Sequence, residues 1–421
     1  MKNYKIINGK VLSFTEDATL LTEKTIYVKE GKVTFSPFQD AESYETIDAR
    51  HMLIMPGLIN MHTHIYMTLM RNYADDVPFG EWLFNRVMPV EDNLPKEAAY
   101  WPTLLGMAEM IKTGTTCFVD MHMYCRQAPR AALASGMRAY IGRGLVGEDL
   151  YKDGYSRFQE AMVEKGEFES DKIRFILTPH AIYTGSVNLL QQVNEEAKKH
   201  NMLKQIHLSE SVTELEDCLK NHGKTPVELL SDIGFLDERT SLAHCVQMQG
   251  DDLALIKASG ASIVTNVASN AKLGNGIAPL AAMKEMGINV CVGTDGAASN
   301  NSLNLFREMG ILSLMHKAIA KDPTAIPAEY IVRAATLGAS KALHNPDIGN
   351  IIEGGEADLI FLDLREPSLF PHHNIVSSLC YSANGSEVDS VMIGGEFVMR
   401  KRELLTIDLE KVYFEVNNIK I

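Results

Sequence analysis

Residues 56–68 read PGLINMHTHIYMT, a Pro-Gly pair and an apolar run that ends on His62 and His64. Side chains on a strand alternate with a period of two, so these two imidazoles project to the same side. Two nitrogen ligands aimed into one space can share a cation. Alone, a His-x-His is a weak signal, because histidine is common on surfaces and in packed slots. Its meaning depends on what the rest of the chain brings to the same end of the strand.

Working outward, eight apolar, strand-like runs alternate with helical segments. They are LIMPGLINMHTH (53–64), TTCFVDMH (115–122), MRAYIGRGLVG (137–147), KIRFILTPHAIY (172–183), LKQIHLSE (203–210), TSLAHCVQM (240–248), ASIVTNVAS (261–269) and INVCVGTDGAAS (288–299). Between them lie helical stretches such as 96–114, which closes on Gly114, and 186–201, which opens on a Ser186 N-cap candidate. Eight β-then-α units predict an α/β fold, a (β/α)8 TIM-type barrel over residues 56–356. An open doubly wound sheet is the alternative. Residues 1–55 and 357–421 have another texture, short β-rich runs broken by Asn-Gly and Glu-Gly turn signals. The two ends are expected to build one small β-sandwich domain beside the barrel.

A parallel barrel places its active site at the C-terminal ends of its strands. Strand one ends in His62 and His64, strand four in His180, strand five in His207 followed by Glu210, strand six in His244 and strand eight in Asp295. Each has a bland reading by itself: a packed histidine, a loop glutamate, a turn aspartate. Together, five of eight strand ends carry groups suited to a metal. Three neutral imidazoles and a carboxylate suit one divalent ion, zinc first, with iron(II) or manganese(II) as alternatives. Strand four ends in neither Lys nor Glu, so no residue there bridges a second metal. Glu210, just past its strand, is placed to move protons at an activated water.

The 421 residues are 46% hydrophobic with a net charge of −14, which argues against a nucleic-acid partner. The sequence lacks the roughly 18 uninterrupted apolar residues of a membrane span, a signal-peptide pattern and a Gly-rich phosphate loop. Six scattered cysteines without CxxC spacing suit reduced thiols, and a cytoplasmic location is expected. No GxSxG elbow supports a serine hydrolase.

These segments, with PVED (89–92), SNAKLGNGIAP (269–279), GTDGAASNNSLNLF (293–306) and GEADLIFLDL (355–364), resemble the amidohydrolase superfamily, in its branch of 5-methylthioadenosine/S-adenosylhomocysteine deaminases. The resemblance implies His62, His64, His207 and Asp295 as metal ligands and Glu210 as the acid/base at purine N1. It further implies His244 as the residue orienting the water, with Asp295 as base. Glu91 is implied as a ribose contact, Arg143 and His180 as substrate contacts, and Trp82 as lining the pocket near the 5′ substituent. The implied reaction is hydrolytic deamination of an adenine nucleoside. Guanine, another amino-heterocycle or an s-triazine is the alternative substrate, and a non-catalytic scaffold the alternative of another class. The partner implied is a small-molecule nucleoside; homo-oligomer formation is left open. The chain departs from the family pattern at Ile182, Gln247, Thr265 and Val267, positions expected to border the pocket, and a second arginine for a homocysteine carboxylate has only Arg157 as a loose candidate.

Overall fold

The computed structural model describes residues 2–37 and 44–421. Eight parallel barrel strands follow one another in chain order: Leu58–Thr63, Thr115–His122, Arg138–Leu145, the pair Ile173–Phe175 and Thr178–Pro179, then Lys204–Leu208, Thr240–His244, Ser262–Thr265 and Val290–Val292. Strand four joins both neighbours: the Ile176 N–H donates to Ile141, and the Leu177 N–H to Leu203. The ring closes between strands eight and one, where the Asp295 N–H donates to the His62 carbonyl (2.9 Å). Asn60 reinforces that seam, accepting from the Thr294 N–H (3.0 Å) and donating to its hydroxyl (2.8 Å). Helices such as Tyr100–Lys112, Val187–Lys199 and Leu305–Ala320 follow the strands. Ser186 does cap Val187–Lys199, its hydroxyl accepting from the Leu189 N–H.

The stretch expected as one first strand is two. Met52–Pro56 pairs antiparallel with Leu359–Asp363, whereas Leu58–Thr63 pairs parallel with Thr115–His122. The change of partner falls on Gly57, where an added Cβ would lie 2.0 Å from the Thr116 hydroxyl oxygen. Only a residue without a side chain lets the chain pass that close. Both halves are buried almost throughout and run on without a polar turn between them, so periodicity gives no sign of the break.

Strands from the two chain ends form two further sheets. One runs, in spatial order, Lys32–Thr34, Ile26–Lys29, Asn3–Ile7 and Tyr44–Asp48. The other has seven strands, in which Thr19–Glu23, Lys10–Phe14 and Met52–Pro56 lie side by side and join the four strands after residue 358 where Met52–Pro56 pairs with Leu359–Asp363. Tyr4, Ile6, Val28 and Val33 of the first sheet pack with Val11, Ile54, Phe361 and Met392 of the second. The two turn signals behave differently. Glu30-Gly31 closes a hairpin, while Asn8-Gly9 links strands that part into different sheets.

A buried cation ties these sheets to the barrel. Arg138, at the start of strand three, donates Nε to Asp358 Oδ2 (2.8 Å), Nη2 to Glu356 Oε2 (2.8 Å) and Nη1 to the Asp171 carbonyl (2.8 Å). The guanidinium is 2% exposed. Removing one partner from such a cluster leaves an uncompensated buried charge. Arg138→Ala is therefore expected to lower unfolding free energy by about 3–5 kcal/mol, read as a shifted urea midpoint. A midpoint equal to wild type would deny the cluster that structural role.

Candidate active site

The strand ends converge as their register requires. His62 Nε2 and His64 Nε2 each lie 3.1 Å from His207 Nε2, and Asp295 Oδ1 lies 3.5 Å from both His62 and His64. All four are buried. The opposite nitrogen of each imidazole meets an oxygen: His62 Nδ1 and Gln205 Oε1 (2.8 Å), His64 Nδ1 and the Met121 carbonyl (2.8 Å), His207 Nδ1 and the His180 carbonyl (2.7 Å). A carbonyl only accepts, so each Nδ1 carries the proton and each Nε2 presents a lone pair. Three lone pairs at hydrogen-bond distance, with no proton between them, repel unless a cation sits among them. Burial, then the neighbouring imidazoles, hold His64 and His207 below the usual histidine range and so keep them neutral. The donor set therefore fits a divalent metal.

Asp295 is set apart electrically from the other carboxylates. Burial alone would raise it, but the imidazoles of His62, His244 and His64 hold it well below the usual carboxylate range. Its second oxygen accepts from the Ser269 (2.6 Å) and Ser299 (2.8 Å) hydroxyls. Glu210 goes the other way: burial, then the Asp295 charge, pushes it well above the ordinary glutamate value. The Asn275 amide donates to Glu210 Oε1 (3.0 Å), and His244 Nε2 stands 3.7 Å from Oε2. His244 Nδ1 faces Asn270 Oδ1 at 2.8 Å. Ser209, His244, Cys245 and Asp295 all adopt positive φ, between 50° and 76°. Such backbone costs of order 1–3 kcal/mol per residue and clusters at functional sites.

One cavity opens onto this centre. Its wall comprises His64, Met67, Phe79, Trp82, Leu83, Glu91, Met123, His180, Tyr183, His207, Glu210, His244 and Asp295. Trp82 sits on a π-helical turn, Glu81–Val87, with its indole N–H directed at the Ala298 carbonyl (3.3 Å). Glu91 follows on Met88–Asn93, where Tyr66 donates its hydroxyl to the carboxylate and burial raises the Glu91 pKa. His180, pushed down to about 3 chiefly by burial, faces the Thr184 hydroxyl through Nδ1 (2.9 Å).

Among the proposed site residues, Arg143 is the one the structure sets apart. It is buried behind the wall, with Nε and Nη2 donating to Glu160 Oε2 at 3.0 and 2.6 Å. Arg157 likewise does not line the cavity; its Nη1 donates to the Gly144 carbonyl (3.0 Å). The positions that depart from the family pattern do not border the cavity as expected: Ile182, Gln247, Thr265 and Val267 are all absent from its wall. Gln247 instead donates to the Asn275 carbonyl, steadying the residue that holds Glu210. Reading by strand ends overlooked Met67, Phe79, Leu83, Met123 and Tyr183, which lie on connecting segments, and Gln205, an inward polar residue two before His207.

Comparison with known proteins fixes the family: residues 53–398 match the amidohydrolase family. The chain belongs to the amidohydrolase family. A 5-methylthioadenosine/S-adenosylhomocysteine deaminase of Thermoanaerobacter pseudethanolicus is 39% identical over 422 residues, covering 98% of this chain and 97% of the relative. A 5′-deoxyadenosine deaminase of Methanocaldococcus jannaschii is 41% identical over 381 residues, covering 89% and 90%. The crystal structure of an adenosine deaminase from Xanthomonas campestris with bound zinc superposes with a TM-score of 0.93 at 30% identity, covering 99% and 97%. The chain is thus an amidohydrolase-type enzyme whose cluster suits a divalent metal. No helix among the described residues is long and apolar enough to cross a membrane.

Single alanine substitutions at His62, His64 or His207 are expected to reduce bound metal from about one ion per chain to a small fraction, by elemental analysis of folded protein. His180→Ala, whose side chain stands outside the cluster, is expected to retain it. Full metal content in all three ligand variants would contradict the assignment.

Proposed function

We propose that this amidohydrolase is a zinc-dependent aminohydrolase that removes the 6-amino group of an adenine nucleoside, giving the inosine analogue and ammonia. The observation that carries this reading is the pairing of two carboxyl groups of opposite character in one cavity. The Asp295 carboxyl is held well below the usual carboxylate range by the surrounding imidazoles, and burial pushes Glu210 well above the ordinary glutamate value. Environments that push two carboxyl pKa values apart assign a base and an acid. The names of the relatives support the substrate class. Ligand nitrogens about 2.0–2.1 Å from zinc lie roughly 3.3 Å apart at a tetrahedral centre, close to the nitrogen spacing here.

His62, His64, His207 and Asp295 would hold the ion, which supplies the Lewis acidity that makes water a nucleophile at neutral pH. Asp295 accepts a proton from the water through Oδ1, while Ser269 and Ser299 keep Oδ2 engaged. His244 Nε2, unprotonated because Nδ1 faces Asn270, orients the water oxygen. Glu210 delivers its proton to purine N1 as the C6–O bond forms, so no negative charge is left on the ring. Asp295 passes the water proton on to the exocyclic nitrogen, the C6–N bond breaks as the C6 hydroxyl proton returns to the Glu210 carboxylate, and ammonia departs. Glu91 receives the ribose hydroxyls, and His180 flanks the sugar. Met67, Phe79, Trp82, Leu83 and Met123 line the remainder; among the described residues no Lys or Arg side chain forms part of the wall, the nearest being Arg157, which stands behind Met123.

Glu210→Gln removes the transferable proton but no ligand. It is expected to lower kcat by about 10²–10⁴-fold with metal content unchanged; near-normal turnover would remove Glu210 from its role. The wall without cations predicts that adenosine and 5′-methylthioadenosine release ammonia while the 5′-monophosphate of adenosine does so at least about 100-fold less efficiently in kcat/KM. Equal efficiency for the nucleotide would contradict that reading of the wall.

A further inference from the structure

We propose that Gln205 is a positioning residue for the metal centre, fixing which nitrogen of His62 is free to bind. It lies two residues before His207 on the strand Lys204–Leu208, so its side chain shares the inward face with that ligand. It is fully buried, and every polar atom of its amide is engaged. Nε2 donates to the Met61 carbonyl (2.8 Å) and to the Ser241 hydroxyl (3.1 Å), and Oε1 faces His62 Nδ1 (2.8 Å). The Met61 carbonyl can only accept, so the amide nitrogen must be the atom beside it. That fixes Oε1 toward His62, and Oε1 in turn can only accept. His62 therefore carries its proton on Nδ1 and keeps the Nε2 lone pair for the metal.

The two other imidazoles are locked by backbone carbonyls, of Met121 and His180. The lock on His62 is the one in this set made by a side chain, and the one a substitution can remove without moving the main chain. Without an acceptor at Nδ1, the imidazole loses its preference between tautomers, and the Nε2–H form cannot ligate. Outer partners of this kind are worth about 10–100-fold in metal affinity.

The inference rests on the metal site assigned above, and the test separates the two. Gln205→Met and Gln205→Glu both delete the donors to Met61 and Ser241, but only methionine deletes the acceptor facing His62. Zinc affinity of the stripped, full-length protein is measured by competition with a chromogenic chelator, independently of turnover. Gln205→Met is expected to bind zinc about 10–100-fold more weakly than wild type, and Gln205→Glu within about threefold of it. Equal affinities in the two variants, or a methionine variant as tight as wild type, would overturn the role of Gln205. Wild-type protein that binds no zinc would instead overturn the site itself. Should the methionine variant fail to fold, nitrogen-15 histidine spectra of metal-stripped wild-type protein decide: a protonated Nδ1 on His62 supports the lock, and a protonated Nε2 refutes it.

Discussion

Three imidazole nitrogens, each with its opposite nitrogen facing an oxygen, crowd together at about 3 Å in a buried barrel end. That arrangement is unfavourable for the protein alone and becomes favourable only around a positive charge. Much of the architecture serves to hold it. Strand one contributes two ligands on one face, strand five a third, and the seam that closes the barrel brings Asp295 back beside His62 through the Asp295 N–H. The left-handed backbone at Ser209, His244, Cys245 and Asp295 is the local cost of aiming those side chains inward.

Around that centre, burial sorts the titratable groups. Asp295 and Glu210 are both carboxyl groups in the same desolvated cavity, yet they are driven in opposite directions. Asp295 has imidazoles and two serine hydroxyls to favour its charge. Glu210 has a single amide, from Asn275, and an adjacent negative charge to oppose ionisation. The two carboxyls are thereby suited to the opposed roles of base and acid proposed for them. The difference comes from hydrogen-bond partners contributed by loops after strands seven and eight.

Much of this was legible in the sequence, and for definite reasons. The period of two in His62-Thr-His64 fixes a shared direction wherever the strand lies, and the alternation of apolar runs with helices points to a parallel sheet, barrel or doubly wound, with its chemistry at the strand ends. Less local features were hidden. The passage of the chain from one sheet to another at Gly57 depends on Thr116, distant in sequence and invisible to periodicity. Glu91 and Arg143 read as surface charges, yet Glu91 is half-buried and Arg143 is buried. Tyr66 engages the first at the cavity wall, whereas Glu160 takes the second behind it. Gln205 stands between Lys204 and Ile206 in a mixed polar and apolar strand, and only its spacing from His207 hinted at its direction. The apolar wall comes from connecting segments, which carry no periodic signal.

If the four-residue cluster holds the ion on which the chemistry depends, a titration of metal-stripped protein with zinc, followed by ultraviolet absorbance as 5′-methylthioadenosine is converted to its inosine analogue, is decisive. Turnover is expected to be negligible without metal, to rise linearly with added zinc, and to break at about one ion per chain. Turnover that is the same in stripped and loaded protein, or that shows no break near one equivalent, would contradict that role of the cluster.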